Sequence, residues 1–261
     1  MSSVSSVVKR FNLNPKKARE NTIIDDFFDE INTDEKAYLL GFFIADGCIS
    51  NQSGSKNKRF GINQSIDDLE VVEAFKIHLN IPTKIQYVNN QNGVKSRKIQ
   101  CRVRWTSSHM ETTMRDKYHI VSNKTLDTDF SFPIELIPEI YQGAFVRGFI
   151  DGDGYMGNNG QENNFSVSVV GTSLNFITTI GDIVSKNTGM SYKVYKSQGK
   201  TCSYYSLRWS CYKDKLNKII KLRDFLYNNA SIFLSRKKEK IDHYIEYRAN
   251  VLNNINTQCN A

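Results

Sequence analysis

From residue 36 onward the chain runs through one pattern twice, and a duplicated chain is confined to folds in which a unit pairs with its own copy. The first unit opens with KAYLLGFFIADGCI, Lys36–Ile49, and the second with QGAFVRGFIDGDGYM, Gln142–Met156. Each passes through a polar loop into a short alternating stretch, where Phe60, Ile62 and Leu69 line up with Phe165, Val167 and Leu174 without a gap. Further on, CRVRWTSS (Cys101–Ser108) matches YSLRWSCY (Tyr205–Tyr212), with Arg104-Trp105 and Arg208-Trp209 in register. The Asp-Gly steps are offset by 153−46 = 107 and the Arg-Trp pairs by 208−104 = 104, so the correspondence spans about a hundred residues with small indels.

Both units predict the same elements. An apolar helix ends at Asp-Gly and is followed by a hairpin. A second helix has apolar spacing (Leu69, Val72, Phe75, Leu79; then Leu174, Ile177, Ile180, Val184). A second hairpin, divided at Asn89–Gly93 or Ser197–Lys200, leads to a closing helix. This is a mixed α/β architecture, an αββα unit interleaved with a ββα fragment, twice over. The expected boundaries are an arm over 1–35, repeat one over 36–128, a linker over 129–138, repeat two over 139–250 and a tail over 251–261. Trp105 and Trp209, at matching strand positions, suit the core. Bases alone occupy 1–19 and acids alone 20–35, so the arm is expected to be either a solvated appendage with short helices or an extra DNA-contacting segment.

Composition narrows the partner. Lys and Arg number 35 against 27 Asp and Glu, a net +8 that favours a polyanion. The longest apolar run, Ala37–Ala45, is about half the ~20 residues a membrane span needs. Met1–Asn14 lacks a signal-peptide core. Five cysteines without a C-x-x-C pair and four scattered histidines argue against zinc and for a reducing interior. With Met1 at the start and QCNA at the end, no flanking self-splicing segment is expected.

The two opening helices carry the chemistry. Gly41 and Ala45 share a helix face, as do Gly148 and Gly152, so the two backbones can approach closely. Gly47 and Gly154 suit helix termination in a left-handed conformation. Immediately before each stands an aspartate, Asp46 or Asp153, facing the negative end of its helix dipole. Parallel packing would also bring the two carboxylates together. A divalent cation would relieve both costs. One Asp-Gly step is an ordinary turn dipeptide; two at equivalent points of a repeat point to function.

Leu39–Gly47, LLGFFIADG, and Val146–Gly154, VRGFIDGDG, resemble the two signature motifs of the LAGLIDADG homing endonucleases. The wider similarity runs from Lys36 to about Tyr244. The resemblance implies a single-chain, monomeric enzyme of two pseudo-symmetric αββαββα halves, whose sheets form a saddle in the major groove of a long double-stranded DNA target, pseudo-palindromic or asymmetric. It implies that Asp46 and Asp153 bind the catalytic metal, Mg²⁺ or another divalent cation such as Mn²⁺. Carbonyls of Ala45 and Gly152 would complete part of the coordination. One phosphodiester would be hydrolysed per strand. Family members also place a lysine near each centre, which nominates Lys124 in VSNKT and Lys237 in FLSRKK, with Arg236 and Lys238 as alternatives in register. Asp151 faces Ile44 in the alignment and has no symmetry mate, so no catalytic role is expected of it. Arg147, where repeat one has Leu40, is expected to face outward. The setting implied is bacterial or phage-host cytoplasm, or an organelle.

Two acid-free blocks suit the DNA surface. Lys84, Lys95, Arg97, Arg102 and Arg104 fall in one, and Lys193, Lys196, Lys200 and Arg208 in the other. Both lie on predicted hairpins, which suits β-ribbon contact with phosphates and base edges. Arg102 and Arg104 share a strand face. Arg59 on the first hairpin is a further contact candidate. Gln64, aligned with Val169, could orient water or read a base. An RNA-binding intron maturase and a non-catalytic DNA-binding protein on the same fold are the alternatives; retention of both acids favours the nuclease.

Overall fold

The computed structural model describes residues 22–51, 58–89, 98–122, 127–158, 164–199, 202–212 and 216–259. Helix α1, Asp34–Asp46, starts where the Thr33 hydroxyl accepts from the Lys36 N–H at 3.2 Å, with Asp34 and Glu35 at the positive end of the dipole. It runs directly into strand β1 (Gly47–Asn51), which pairs antiparallel with β2 (Lys58–Ser65). Helix α2 (Leu69–His78) leads to β3 (Gln86–Val88) and β4 (Gln100–Thr106), then to α3 (Ser108–Thr112), continued by a π turn over Thr113–Lys117.

The second half repeats this with α4 (Gln142–Asp153), β5 (Gly154–Gly157), β6 (Asn164–Gly171), α5 (Leu174–Thr188), β7 (Tyr192–Gln198), β8 (Ser203–Tyr212) and α6 (Leu216–Tyr227). A long final helix, α7, spans Ser235–Cys259. The two four-stranded antiparallel sheets are ordered β1-β2-β4-β3 and β5-β6-β8-β7, the same topology twice. Among the described residues no helix is long and apolar enough to cross a membrane.

Strand register corrects the ungapped alignment of the two halves. Gly47 pairs with Ile62, and its equivalent Gly154 pairs with Val169, so the mate of Ile62 is Val169 and not Val167. The next strands agree, because Ile62 faces Val103 where Val169 faces Leu207. The helices keep the expected alignment: Val71, Val72, Phe75 and Leu79 are buried, as are Phe176, Ile177, Ile180 and Val184. The first half therefore has two more residues between strand and helix, where the short 3₁₀ turn Ile66–Asp68 sits. A two-residue slip leaves every side chain on its own face. Alternation alone could not reveal it.

The sheets bury their alternate residues against the helices. Phe60 stacks on Trp105 with ring centroids 5.6 Å apart, and Phe75 also stacks on it at 6.0 Å. Trp209 is likewise wholly buried. The expected arm ends earlier than residue 35. Phe27, Phe28 and Ile31 belong to the core, the Ile24 N–H donates to Leu79 O at 2.9 Å, and the Tyr118 hydroxyl donates to Phe28 O at 2.8 Å. Burying a phenylalanine is worth about 1.5–3 kcal/mol, so these residues hold to the first half despite their acidic neighbours.

Helices α1 and α4 pack backbone against backbone. A Cβ on Gly41 would lie 2.1 Å from Phe145 O, and one on Gly148 would lie 2.0 Å from Tyr38 O. These are the same contact seen from the two sides of the pseudo-dyad. Arg147 is an inward-facing residue, contrary to the expectation from sequence, and is 1% exposed. It reaches carbonyls of Ile232 and Leu226 and pairs with Asp34 at the start of α1. The chain supplies buried acceptors at the right distance, and a buried guanidinium needs them.

Candidate functional site

The two motif helices end side by side. The Gly47 N–H donates to Phe43 O and the Gly154 N–H to Ile150 O, closing each helix. Neither glycine is left-handed as expected: their φ, ψ values are −72°, 150° and −103°, 157°, extended backbone that leads straight into β1 and β5. Space is what requires glycine. A Cβ on Gly47 would sit 2.3 Å from Phe43 Cδ2, and one on Gly154 would sit 2.5 Å from Ile150 O.

Asp46 and Asp153, both half-buried, are the last residues of α1 and α4. Across the helix pair, a Cβ on Gly152 would lie 2.3 Å from Ala45 Cβ and 3.4 Å from Asp46 Oδ2. The candidate acid of one half thus abuts the motif of the other, one residue before its own acid. Asp46 Oδ2 also accepts from Gln64 Nε2 at 2.8 Å. Gln64 lies on the same face of β2 as buried Phe60 and Ile62, so it points to the helices and not to the outer face. Asp153 borders a hollow of about 260 Å³ shared with Ala45, Asp127, Gly171 and Thr172.

Beneath the helix ends lies a buried ionic cluster. Asp151, 1% exposed, accepts from the Tyr38 hydroxyl at 2.9 Å and the Leu234 N–H at 2.8 Å. Burial pushes its carboxyl up to about 6, opposed by Lys237, these hydrogen bonds and Arg147. Its partners are groups of the chain itself, from α1 and from the segment before α7.

Lys237 departs from the role assigned by sequence. It is 3% exposed, and its ammonium donates to Ile150 O, to Asp151 O at 2.8 Å and to Gly154 O at 2.7 Å. An ammonium has three donors, and here all three are spent on backbone carbonyls, two in the last turn of α4 and one on Gly154 at the start of β5. Lys237 therefore caps the helix that carries Asp153 and has no donor left for a water. Burial lowers it to about 8, with Asp151 holding it up. Its register alternatives are engaged too: Arg236 grips Asp68 through two bonds of 2.7 and 2.9 Å, and Lys238 pairs with Asp242. Lys124 lies outside the described residues.

The outer face of each sheet carries the predicted cations unevenly. On the first, Arg59, Arg102 and Arg104 share a face with Asn63, whose partner in register is Arg102. Arg104 is exposed, while the Arg102 Nε donates to Gln86 Oε1 at 2.9 Å. Lys84 is exposed in the loop before β3. On the second, Lys193, Arg208 and Ser168 form one row. Lys196 is three residues from Lys193 and so falls on the opposite, helix-facing side, exposed at the strand's end beside Tyr205. Odd spacing in a strand excludes it from the row. Lys95, Arg97 and Lys200 lie outside the described residues. Sequence reasoning passed over Gln86 and Tyr195; the latter is 49% exposed and lies under the Arg208 guanidinium at 6.0 Å. Tyr195 carried a signal, two residues from Lys193 on the same strand face, whereas Gln86 had none, since it meets Arg102 only through strand register.

Among the described residues no cluster of three or more His, Cys, Asp or Glu could hold a metal ion alone. Two carboxylates at one junction nonetheless fit a hard divalent cation, which takes oxygen ligands and keeps room for water and phosphate. Paired helix ends bearing one acid each, beside two sheets whose outer faces carry arginines and lysines, define a duplicated α/β fold with an acidic centre. The chain belongs to the LAGLIDADG-like domain family, which matches residues 33–127 and 141–223. No curated protein sequence matches it. Among solved structures, I-DmoI in complex with DNA and Ca is similar at 16% identity, TM-score 0.52, over 80% of this chain and 97% of that one. The homing endonuclease I-WcaI bound to its DNA recognition sequence gives 14% identity and TM-score 0.52 over 89% and 97%. The I-LtrWI LAGLIDADG homing endonuclease bound to target DNA gives 9% and 0.52 over 84% and 91%. At such identities the likeness is one of fold.

Proposed function

We propose that this protein is a site-specific double-strand DNA endonuclease that acts as a monomer in a reducing interior and uses Mg²⁺. One observation carries the reading: each motif helix delivers a single carboxylate, Asp46 or Asp153, to one junction between two sheets. Family membership and the DNA-bound structural neighbours support it. Asp46 and Asp153, with carbonyls of Ala45 and Gly152, would hold the cation, which supplies charge neutralisation and a more acidic water. The residues of the chain do the placing. Close packing at Gly41 and Gly148 sets the separation of the two acids, and Lys237 fixes the end of α4. Arg59, Arg102, Arg104, Lys193 and Arg208 would neutralise phosphates or read base edges on the outer faces. One acid per half gives one hydrolysis per strand.

The test is incubation with Mg²⁺ and a randomised duplex library, followed by recovery of broken ends. Parent protein is expected to cut one sequence on both strands, and Asp46→Asn and Asp153→Asn to lose the double-strand break. Tight binding of intron RNA with no cleavage of any duplex would move the assignment to a maturase.

A further inference from the structure

Strand register allows the outer faces of the two sheets to be compared position by position. Gly47 pairs with Ile62 as Gly154 pairs with Val169, and Ile62 faces Val103 as Val169 faces Leu207. Arg104 is therefore the equivalent of Arg208, and both are exposed. The neighbouring row is not shared. In the first sheet it is Asn63, Arg102 and Gln86, side by side on β2, β4 and β3. Its equivalent in the second sheet is Val170, Ser206 and Tyr195, on β6, β8 and β7.

The two rows can recognise different groups. Gln86 Oε1 accepts from Arg102 Nε at 2.9 Å. A guanidinium held at Nε keeps its two terminal nitrogens as a fork, the shape that matches O6 and N7 of guanine in the major groove. In the second row Val170 is 38% exposed and Tyr195 49%, with Ser206 between them. Among the described residues no exposed large apolar side chain stands on the outer face of the first sheet. The apolar group that a base edge offers in the major groove is the thymine methyl, and a serine hydroxyl serves either kind of base pair.

We infer that the DNA target is symmetric where Arg104 and Arg208 read it and asymmetric at the neighbouring row. There the first half-site carries a G·C pair read by Arg102, with Gln86 as its positioning residue. The second carries an A·T pair recognised through its thymine methyl by Val170 and Tyr195. A duplicated protein thus meets a target that is palindromic in part. The inference rests on the proposed binding of duplex DNA by the sheet faces and names bases within that site.

A randomised duplex library is scored for retention by the protein without divalent cation, and separately for cleavage in Mg²⁺. Retained duplexes are expected to hold two inverted half-sites that share one base pair and differ at the pair beside it, guanine in one and thymine in the other. On the parent protein, 7-deazaguanine at that guanine removes the N7 acceptor and should weaken binding. Uracil at that thymine removes only the methyl and should weaken binding about fourfold, the worth of one buried methylene. Arg102→Ala should reduce the guanine preference by about 5- to 150-fold. Gln86→Leu should reduce the same preference and leave the base read by Arg104 unchanged. The triple exchange Val170→Asn, Ser206→Arg and Tyr195→Gln should turn the second half-site from thymine to guanine. Half-sites alike at both positions, a uracil duplex bound as tightly as its thymine parent, or a folded triple variant that still prefers thymine would each overturn the inference; cleavage of the retained duplex would leave the nuclease reading standing. Unequal half-sites retained but never cut would overturn the nuclease reading and uphold the base assignment. Retention of no duplex would overturn both.

Discussion

Replacing Gly148 with alanine should destabilise the protein, although alanine is the better helix former by about 1 kcal/mol. The added Cβ would lie 2.0 Å from Tyr38 O and 2.8 Å from Phe42 N. Ordinary contact begins near 3.4 Å, so α1 and α4 must part locally by about 1.4 Å, and both offending atoms are backbone. A gap of 0.5–1 Å already forfeits about a quarter to a half of a dispersion contact. Overpacking of this kind costs about 1–3 kcal/mol, occasionally more. Taking the upper end and subtracting the propensity gain leaves a net loss of about 2 kcal/mol, or a fall in Tm of about 4–8 °C for a chain of this size. Gly41→Ala makes the mirror contact with Phe145 O, at 2.1 Å. Once one alanine has parted the helices, the second meets a wider gap, so the double variant should lose less than the two singles together. Urea unfolding of all four proteins measures this directly. A Gly148→Ala variant as stable as its parent, or a strictly additive double, would refute the idea that backbone contact sets the spacing of the two acids.

Arg147→Met should cost about 3–5 kcal/mol, since it leaves Asp34 and two carbonyls without their donor. Adding Asp34→Asn should recover part of that loss in the same unfolding assay. Gly189 and Gly47 should respond oppositely to asparagine. Gly189 has φ +70° and open space around it, so Gly189→Asn should shift stability by less than about 1 kcal/mol, whereas Gly47→Asn meets Phe43 and should fall well below that in thermal melts. Acidification should weaken the fold through His78, whose imidazole burial holds below the ordinary 6.5, with Glu35 opposing. Below pH 6.5 the unfolded chain gains a proton that the folded chain resists, so stability is full above that pH and is lost as the pH falls toward the lower folded value. Tm measured between about pH 7.5 and 5.5 should drop less in His78→Gln than in the parent.

The duplicated architecture, the paired motif helices and the two acids were legible in the sequence because each leaves a local mark: small residues four apart, Asp-Gly after an apolar run, alternation in the hairpins. The partners of those acids were not. A strand's period of two is blind to a two-residue slip, so spacing pairs Gln64 with Val169 where hydrogen-bond register pairs it with Gly171. Gly47 reads as a conformational glycine from its place after a helix, while its true constraint is the Phe43 ring, visible only once the chain turns into β1. Arg147 and Lys237 look like surface cations, since nothing nearby in sequence announces the carbonyls that receive them. Lys196 is the exception, because its odd spacing from Lys193 places it on the other face of β7 by period two alone.

The segment from Ser231 to Arg236 belongs to the second half by sequence, yet it is fastened to the first. The Ser231 hydroxyl donates to Glu35 at 2.7 Å, the Ser235 N–H to Glu70 at 2.8 Å, and Arg236 holds Asp68, which is 6% exposed. The two repeats are therefore no longer exchangeable modules. A first half cut out at its apparent boundary, or grafted onto a foreign second half, would leave behind the guanidinium that satisfies its own buried carboxylate. A chimera intended to combine half-sites should carry residues 231–236 along with the first half, even though they lie over a hundred positions away from it in the chain.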